Sequence, residues 1–249
     1  MTTEVRFSTV GLSHEGCART VNEDSHLTRD DIGLWVVADG MGGHQDGQIA
    51  SAAIVEALDG VELGADFDTH LQQLGAMLAT ANNAIFRAAE EASVRMGSTA
   101  AILHIDGMQY GCLWVGDSRV YRLRDGVLTR LTRDHTQVQE MMDRGLLTRE
   151  EARGHPMSHV LSRAVGVEED MRPEISVGGL LPHDVFLLCS DGLHGLVPDD
   201  EIAHYLAANG RGAARALLDL ALERGAPDNV TIVTVACEEK TALILEREI

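Results

Sequence analysis

The chain has 249 residues and a formal net charge of −19, because 39 aspartates and glutamates outnumber 20 lysines and arginines. This acidity argues against a nucleic-acid partner, since nucleic acids are held mainly by cations that neutralise their phosphates. Hydrophobic residues make up 45% and charged residues 24% of the chain, close to ordinary globular usage. Disordered, collagen-like and coiled-coil proteins are therefore excluded.

The cysteines and the apolar segments give no sign of a secreted or membrane protein. The four cysteines offer no CxxC or zinc-type spacing, so we expect reduced, buried thiols at Cys17, Cys112, Cys189 and Cys237. Residues 1–6 show no apolar run, so we expect no leader, and no segment approaches the ~18 apolar residues of a membrane span. We expect a cytoplasmic monomer of one domain, residues 1–249, with no membrane contact and no regulatory segment after Cys237.

The first half of the chain predicts a buried strand followed by two helices. Residues 34–38 form a short apolar run that ends in Asp39-Gly40, which is typical of a strand leading into a turn. Apolar residues then recur at helical spacing over residues 50–58 and over a longer stretch at 71–88.

The second half predicts mainly short strands. Those joined by Asp-Gly or Gly-Asp-Ser turns indicate an antiparallel meander over 98–105, 110–115, 120–124 and 127–131. Further strands are predicted at 175–177, 185–190 and 230–237, with helices at 201–208 and 212–224. Residues 132–170 are polar and only weakly helical, which predicts a surface excursion. Long helices beside hairpin-linked strands indicate an α+β fold with helices packed on antiparallel sheets.

Several aspartates stand where an apolar strand ends or a tight turn begins. They are Asp24, Asp39, Asp117, Asp191 and Asp228. A buried strand end is an unfavourable place for a carboxylate unless a cation neutralises it. Hard divalent cations such as Mg²⁺ and Mn²⁺ prefer carboxylate and carbonyl oxygens. The pattern therefore predicts a cluster of metal ions.

Each of these motifs taken alone also fits a structural role. Asp-Gly and Gly-Asp-Ser are common turn sequences, so a single aspartate in them can serve the turn alone. A single His44 can be a capping or core residue, and a single Arg19 a solvated surface charge. The glycines of Asp39–His44 carry more weight, because they let backbone carbonyls approach a ligand closely.

Taken together and in this order, the segments resemble the bacterial metal-dependent Ser/Thr protein phosphatases of type 2C. The Asp-Gly-Met-Gly-Gly-His run at 39–44 is highly specific, and the other segments are specific as an ordered set. The matching segments are Gly11–Asp24, Val37–His44, Gly97–Ala100, Val115–Arg119, Leu161–Gly166, Leu188–Leu193 and Ala226–Thr231. Gly16-Cys17-Ala18 and His194 depart from the usual pattern, and we expect neither to touch a metal ligand.

The resemblance implies a four-layer α-β-β-α sandwich of two antiparallel sheets flanked by helices. A metal site would lie at one edge, beside a flap segment formed by residues 132–170. Two core Mn²⁺ or Mg²⁺ ions and a weaker third ion are implied. Asp39 would bridge the core ions and Gly40 would lend its carbonyl oxygen. The other implied ligands are Asp24 for the second ion, Asp191 and Asp228 for the first, and Asp117 with Asp191 for the third.

The implied activity is hydrolysis of phosphoserine and phosphothreonine by direct attack of a hydroxide that bridges two metals. Arg19 would bind the phosphate through its planar fork. His44 would protonate the departing alkoxide. Glu23 would lie just outside the metal ligands.

The implied partners are phosphorylated proteins, among them a Ser/Thr kinase and its substrates. In bacteria the opposed kinase sometimes controls a secretion system. Arginines and methionines in the flap segment suit loose contact with a phosphopeptide, although a surface excursion without a substrate role remains an alternative.

Two other functions compete with a phosphatase. One is a different two-metal hydrolase, such as a phosphodiesterase or nuclease, but the eleven histidines show no histidine-rich metal cluster. The other is an inactive phosphatase-like module that binds phosphoproteins. Such a module would be expected to lose a ligand, and the full set is present.

Overall fold

Residues 5–43, 45–152 and 154–239 are described by the structure, a computed structural model. The strands are β1 (Val5–His14), β2 (Asp24–Arg29), β3 (Leu34–Met41), β4 (Gly97–Ser98), β5 (Ala100–Asp106), β6 (Gln109–Val115), β7 (Arg119–Arg124), β8 (Val127–Arg130), β9 (Glu174–Gly179), β10 (Val185–Cys189) and β11 (Val230–Glu239). The helices are α1 (Gln45–Asp59), α2 (Phe67–Ala92), α3 (Gln137–Asp143), α4 (Arg149–Ala152), α5 (Asp191–His194), α6 (Asp199–Asn209) and α7 (Ala213–Glu223).

The strands form two antiparallel sheets. One has the order β1-β11-β10-β7-β8, and the other has the order β2-β3-β5-β6-β9 with β4 paired to β3. The chain passes from the second sheet to the first between β6 and β7, at the turn that contains Asp117.

Apolar side chains fill the space between the two sheets. Trp35 and Leu103 of the second sheet pack in one cluster with Phe186 and Val233 of the first, and all four are fully buried. A strand with both faces buried has a continuous run of apolar residues in its sequence, as residues 34–38 do.

Helices cover the outer face of each sheet. Ile54 of α1 and Leu78 of α2 pack on Ile102 of the second sheet. Leu193 of α5 and Leu217 of α7 pack with strands of the first sheet. This arrangement confirms the four-layer α-β-β-α sandwich.

The helix α2 shows how local sequence defines an element. Its buried face carries Leu71, Leu74, Leu78 and Ile85, spaced by three, four and seven residues. The Asp66 side chain accepts a hydrogen bond from the Thr69 amide at 2.9 Å, which caps the first turn.

Sequence patterns did not predict β1, β2 or α5. Most side chains of β1 and β2 are half-buried. The alternation of apolar and polar residues in β1 changes phase between Phe7 and Val10, and β2 has a single apolar residue, Leu27. Their stability comes from backbone pairing with β11 and β3. The helix α5 has only four residues, too few to show a period.

The expected burial of the thiols is confirmed for three cysteines and is wrong for the fourth. Cys112, Cys189 and Cys237 are buried, whereas Cys17 is exposed. Burial raises the pKa of Cys237 to about 12, so this thiol stays protonated. Within the described part of the chain, no helix is both long enough and apolar enough to cross a membrane.

Candidate metal and phosphate site

Asp24 and Asp39 face each other across the pairing of β2 with β3. The next residue along β3, Gly40, donates its amide to the Glu23 carbonyl at 3.2 Å. A Cβ at Gly40 would lie 2.1 Å from the Gly47 carbonyl oxygen, so only glycine fits here. The end of β3 and the start of α1 thus approach more closely than any side chain would allow.

The backbone of Asp39 is held by the loop between β4 and β5. Its amide donates to Thr99 Oγ1 at 3.0 Å, and its carbonyl accepts from the Thr99 amide at 2.8 Å. Ser98 Oγ donates to the same carbonyl at 2.9 Å. The Gly97–Ala100 segment, singled out in the sequence, therefore positions Asp39.

Asp117 lies in a tight turn that also contacts Thr99. Gly116 has a φ of +99°, and a Cβ there would lie 2.6 Å from Thr99 Cγ2. Ser118 Oγ and Thr99 Oγ1 are 2.6 Å apart and share a hydrogen bond. One threonine thus links the turn of Asp117 to the backbone of Asp39.

Asp191 begins α5, directly after a serine that reaches the β2 strand. Ser190 Oγ donates to Asp24 Oδ2 at 2.8 Å and accepts from the Thr231 amide at 3.0 Å. Asp191 Oδ2 lies 3.4 Å from Nδ1 of His159, which belongs to the flap segment.

Asp228 pairs with Arg19 at the mouth of the site. Arg19 Nη2 donates to Asp228 Oδ2 at 2.8 Å, and about half of the arginine side chain is exposed. The next residue, Asn229, accepts from the Glu23 amide and donates to the carbonyls of Glu15 and Val21. These contacts hold the segment that carries Arg19 against the start of β11.

The flap segment is anchored beside the Asp117 turn. Asp134 accepts two hydrogen bonds from Arg119, at 3.0 and 2.6 Å. The His135 amide donates to the Gly116 carbonyl at 2.9 Å, and the Gly116 amide donates to His135 Nδ1 at 3.0 Å. Farther along, Val165 and Ser98 exchange two backbone hydrogen bonds.

The electrostatics of the site are dominated by buried carboxylates. Burial raises the pKa of Asp24 to about 7, and the nearby Asp191 and Asp228 add to this effect. Burial raises the pKa of Asp39 well above its ordinary value, and so do the charges of Asp24, Asp191, Asp117 and Asp228. These carboxylates therefore destabilise one another when all are ionised.

Asp117 and Asp191 respond to this environment in opposite directions. Burial and the charge of Asp191 raise the pKa of Asp117 well above its usual range. Burial also opposes ionisation of Asp191, but the hydrogen bond from His159 and the charge of His194 outweigh it and lower the pKa of Asp191.

The carboxylate oxygens of these aspartates are the type of ligand that a hard divalent cation prefers. Asp24 Oδ1 is buried and has no hydrogen-bond partner among the described residues. Such an orphaned carboxylate oxygen needs either a proton or a cation. In residues 5–43, 45–152 and 154–239, no three His, Cys, Asp or Glu side chains are placed so that they could hold a metal ion together.

The structure brings the five predicted aspartates near one another, since the charges of the other four all raise the pKa of Asp39. It pairs Arg19 with Asp228. The Glu23 carboxylate lies beside Gly47, where a Cβ would be 2.5 Å from Glu23 Oε1. His44 lies outside the described residues.

Both departures from the family pattern touch the site, so the expectation that they would not is wrong. His194 Nε2 contacts the Asp117 carbonyl oxygen at 3.0 Å. A Cβ on Gly16 would lie 2.2 Å from the Asp228 carbonyl oxygen, so this segment packs directly on the Asp228 loop. The contact of His194 spans 77 residues, which local sequence patterns do not reveal.

Sequence reasoning gave no role to Thr99, Ser190 or Asn229. Each lies within a segment that matched the family, and Ser190 and Asn229 also adjoin an aspartate of the site. Their partners are distant in the chain and become visible only in the fold.

Replacing Asp24 with asparagine should stabilise the chain in the presence of a chelator, and more so at pH 8 than at pH 5. The folded-state pKa of about 7 lies above the ordinary value near 4, so the folded chain loses stability as pH rises between these values. Asparagine does not ionise and avoids this loss. Urea unfolding measures the difference in free energy of unfolding at each pH.

The matched control is Glu56→Gln, which neutralises an exposed carboxylate on α1 and should show the same small effect at both pH values. An Asp24→Asn variant that is less stable than wild type at pH 8 would contradict the electrostatic assignment.

Comparisons with known proteins show the family of this chain. The family model described as protein phosphatase 2C matches residues 10–219. The serine/threonine protein phosphatase PstP of Mycobacterium tuberculosis is 39% identical over 227 residues, which cover 89% of this chain and 43% of PstP. The chain thus spans less than half the length of that relative.

Two solved structures have the same fold. PppA of Pseudomonas aeruginosa, described as a key regulatory component of T6SS, has 40% identity and a TM-score of 0.87, covering 94% of this chain and all of that one. The PstP catalytic domain in complex with 2 manganese ions has 36% identity and a TM-score of 0.85, covering 95% of this chain and all of that one. The chain belongs to the protein phosphatase 2C family.

Proposed function

We propose that this chain is a metal-dependent phosphoprotein phosphatase that hydrolyses phosphoserine and phosphothreonine. The observation that carries the proposal is the convergence of aspartates from five separate segments. In three of them, Asp24, Asp39 and Asp117, burial and neighbouring carboxylates raise the pKa. Membership of the protein phosphatase 2C family supports the same activity.

Asp39 and the Gly40 carbonyl would hold two core ions, with Asp24 on one side and Asp191 and Asp228 on the other. Asp117 and Asp191 would hold a third, weaker ion. The manganese complex of the PstP domain supports a divalent metal of this kind, and Mg²⁺ suits the same oxygen donors. Bound divalent cations would neutralise the charge of the phosphate and acidify a water molecule.

Arg19 would bind the phosphoryl oxygens of the substrate. Asp228 takes a hydrogen bond from its Nη2 atom and holds the guanidinium beside the carboxylates. The half-exposed side chain presents its remaining N–H donors at the mouth of the site. A planar fork of donors matches two phosphate oxygens, which a lysine ammonium does not.

His44 would give a proton to the alkoxide of the departing serine or threonine. It follows Gly42 and Gly43, whose positive φ values of +142° and +85° suit glycine and few other residues. Glu23 would lie just outside the ligands and support them, because its carbonyl accepts a hydrogen bond from the Gly40 amide.

The substrates would be phosphorylated proteins, including those of an opposing Ser/Thr kinase. With a net charge of −19, the chain as a whole repels a phosphorylated segment, so attraction must be local. Arg19 lies on Asp228 of the site, and Arg163 of the flap segment contacts His135, which binds Gly116 beside Asp117.

The purified chain should release phosphate from phosphoserine and phosphothreonine peptides in Mn²⁺ and lose this activity in EDTA. Asp191→Ala should reduce kcat below roughly a tenth of wild type at saturating Mn²⁺, because it removes a ligand oxygen. Asp68→Ala, an exposed aspartate on α2, should leave kcat within about twofold. Binding of phosphopeptides without phosphate release would favour the inactive binding module instead.

Arg19→Ala and His44→Ala should differ in how they depend on the leaving group. Loss of Arg19 should raise KM about tenfold or more on phosphopeptides and on p-nitrophenyl phosphate alike, because both carry the same phosphoryl oxygens. Loss of His44 should lower kcat by roughly 10²–10⁴ on phosphopeptides and little on p-nitrophenyl phosphate, whose phenolate leaves without a proton. Equal losses on both substrates for His44→Ala would rule out its role as the acid.

A further inference from the structure

His194 links the two aspartates assigned to the weaker ion, because it lies on the helix of Asp191 and contacts the backbone of Asp117. It is the last residue of α5, and Asp191 is the first. Its Nε2 atom lies 3.0 Å from the carbonyl oxygen of Asp117, on the turn between the two sheets. The single turn of α5 therefore carries both the Asp191 carboxylate and the imidazole ring that binds the backbone of Asp117.

The chemistry of this contact defines the state of the ring. A carbonyl oxygen only accepts hydrogen bonds, so Nε2 of His194 must carry the hydrogen. The contact is thus an N–H···O=C hydrogen bond in which His194 is the donor.

The other side-chain contacts of the Asp117 turn connect it to segments other than α5. Ser118 binds Thr99, which connects the turn to Asp39. Gly116 binds His135, which connects the turn to the flap segment. Among the side-chain hydrogen bonds of this turn in the described chain, that of His194 leads to α5 and hence to Asp191.

This hydrogen bond acts against an electrostatic force. Asp117 is buried, and two ionised carboxylates on either side of one ion repel each other. Two repelling carboxylates would separate if their backbones were free to move. A bond from α5 to the Asp117 carbonyl limits that separation.

We propose that His194 is a positioning residue that keeps Asp117 close enough to Asp191 for both to hold the weaker third ion. The inference rests on the proposed function, because it takes the third ion from there. His194 would touch neither substrate nor the reacting atoms, and its effect would fall on the weaker ion rather than on the two core ions.

Titration of the whole chain with Mn²⁺ by calorimetry tests this role without any enzyme assay. Wild type should show tight binding of two ions and a weaker event. His194→Leu, which fills the space but donates no hydrogen bond, should weaken that event at least tenfold and leave tight binding within twofold. His194→Gln, which keeps an N–H donor, should restore it. His204→Leu, an exposed histidine on α6, is the matched control and should bind as wild type.

Circular dichroism checks that each variant is folded, and His194→Ala takes the place of the leucine variant if that one does not fold. The proposal is overturned if wild type shows no weaker event, if His194→Leu binds as wild type, if all events weaken together, or if His194→Gln fails to restore binding. If the chain binds all three ions but shows no phosphatase activity, the proposed function is wrong and the proposed role of His194 is unaffected.

Discussion

Repulsion among buried carboxylates is the physical constraint that governs this end of the sandwich. The pairing of β2 with β3 places Asp24 opposite Asp39, and the fold then adds Asp117, Asp191 and Asp228. An uncompensated buried charge costs several kcal/mol of stability even after the protein relaxes. A fold that keeps these groups together therefore sacrifices stability at this site for the ability to bind cations.

Both sheets are needed to assemble the site. Asp24 and Asp39 belong to the second sheet, whereas Asp191 and Asp228 follow and precede strands of the first sheet. Asp117 lies in the turn where the chain crosses from one to the other. Hydrogen bonds from Ser190 to Asp24 and from His194 to Asp117 join segments that the packing of the sheets brings together. Sheet packing thus determines the spacing of the carboxylates.

The sequence predicted those parts of the fold whose signals are local. The apolar run at 34–38 and the helical spacing at 71–88 correspond to β3 and α2, because burial on both faces or on one stripe leaves a regular pattern. The half-buried strand β1 leaves no such pattern and was not predicted. Cys17 was expected to be buried like the other thiols but lies on the exposed loop before Arg19.

The aspartates of the site were recognisable from the glycines and turns around them, but their supports were not. Ser190 contacts Asp24 across 166 residues, and no local pattern encodes such a distance. The likeness of the Gly97–Ala100 segment to a known family signalled Thr99 without showing that it holds Asp39. Side chains that position a site from afar become visible only when the two sheets are packed together.

Thermal unfolding of the wild-type chain at rising Mn²⁺ concentration tests most directly whether divalent cations relieve this repulsion. The unfolding midpoint should rise from its value in EDTA by ~5–10 °C at about 100 times the dissociation constant, since a ligand of the folded state stabilises it by mass action. A monovalent salt of equal ionic strength should produce a much smaller rise. A midpoint that stays the same from EDTA to saturating Mn²⁺ would contradict the presence of a cation site among these carboxylates.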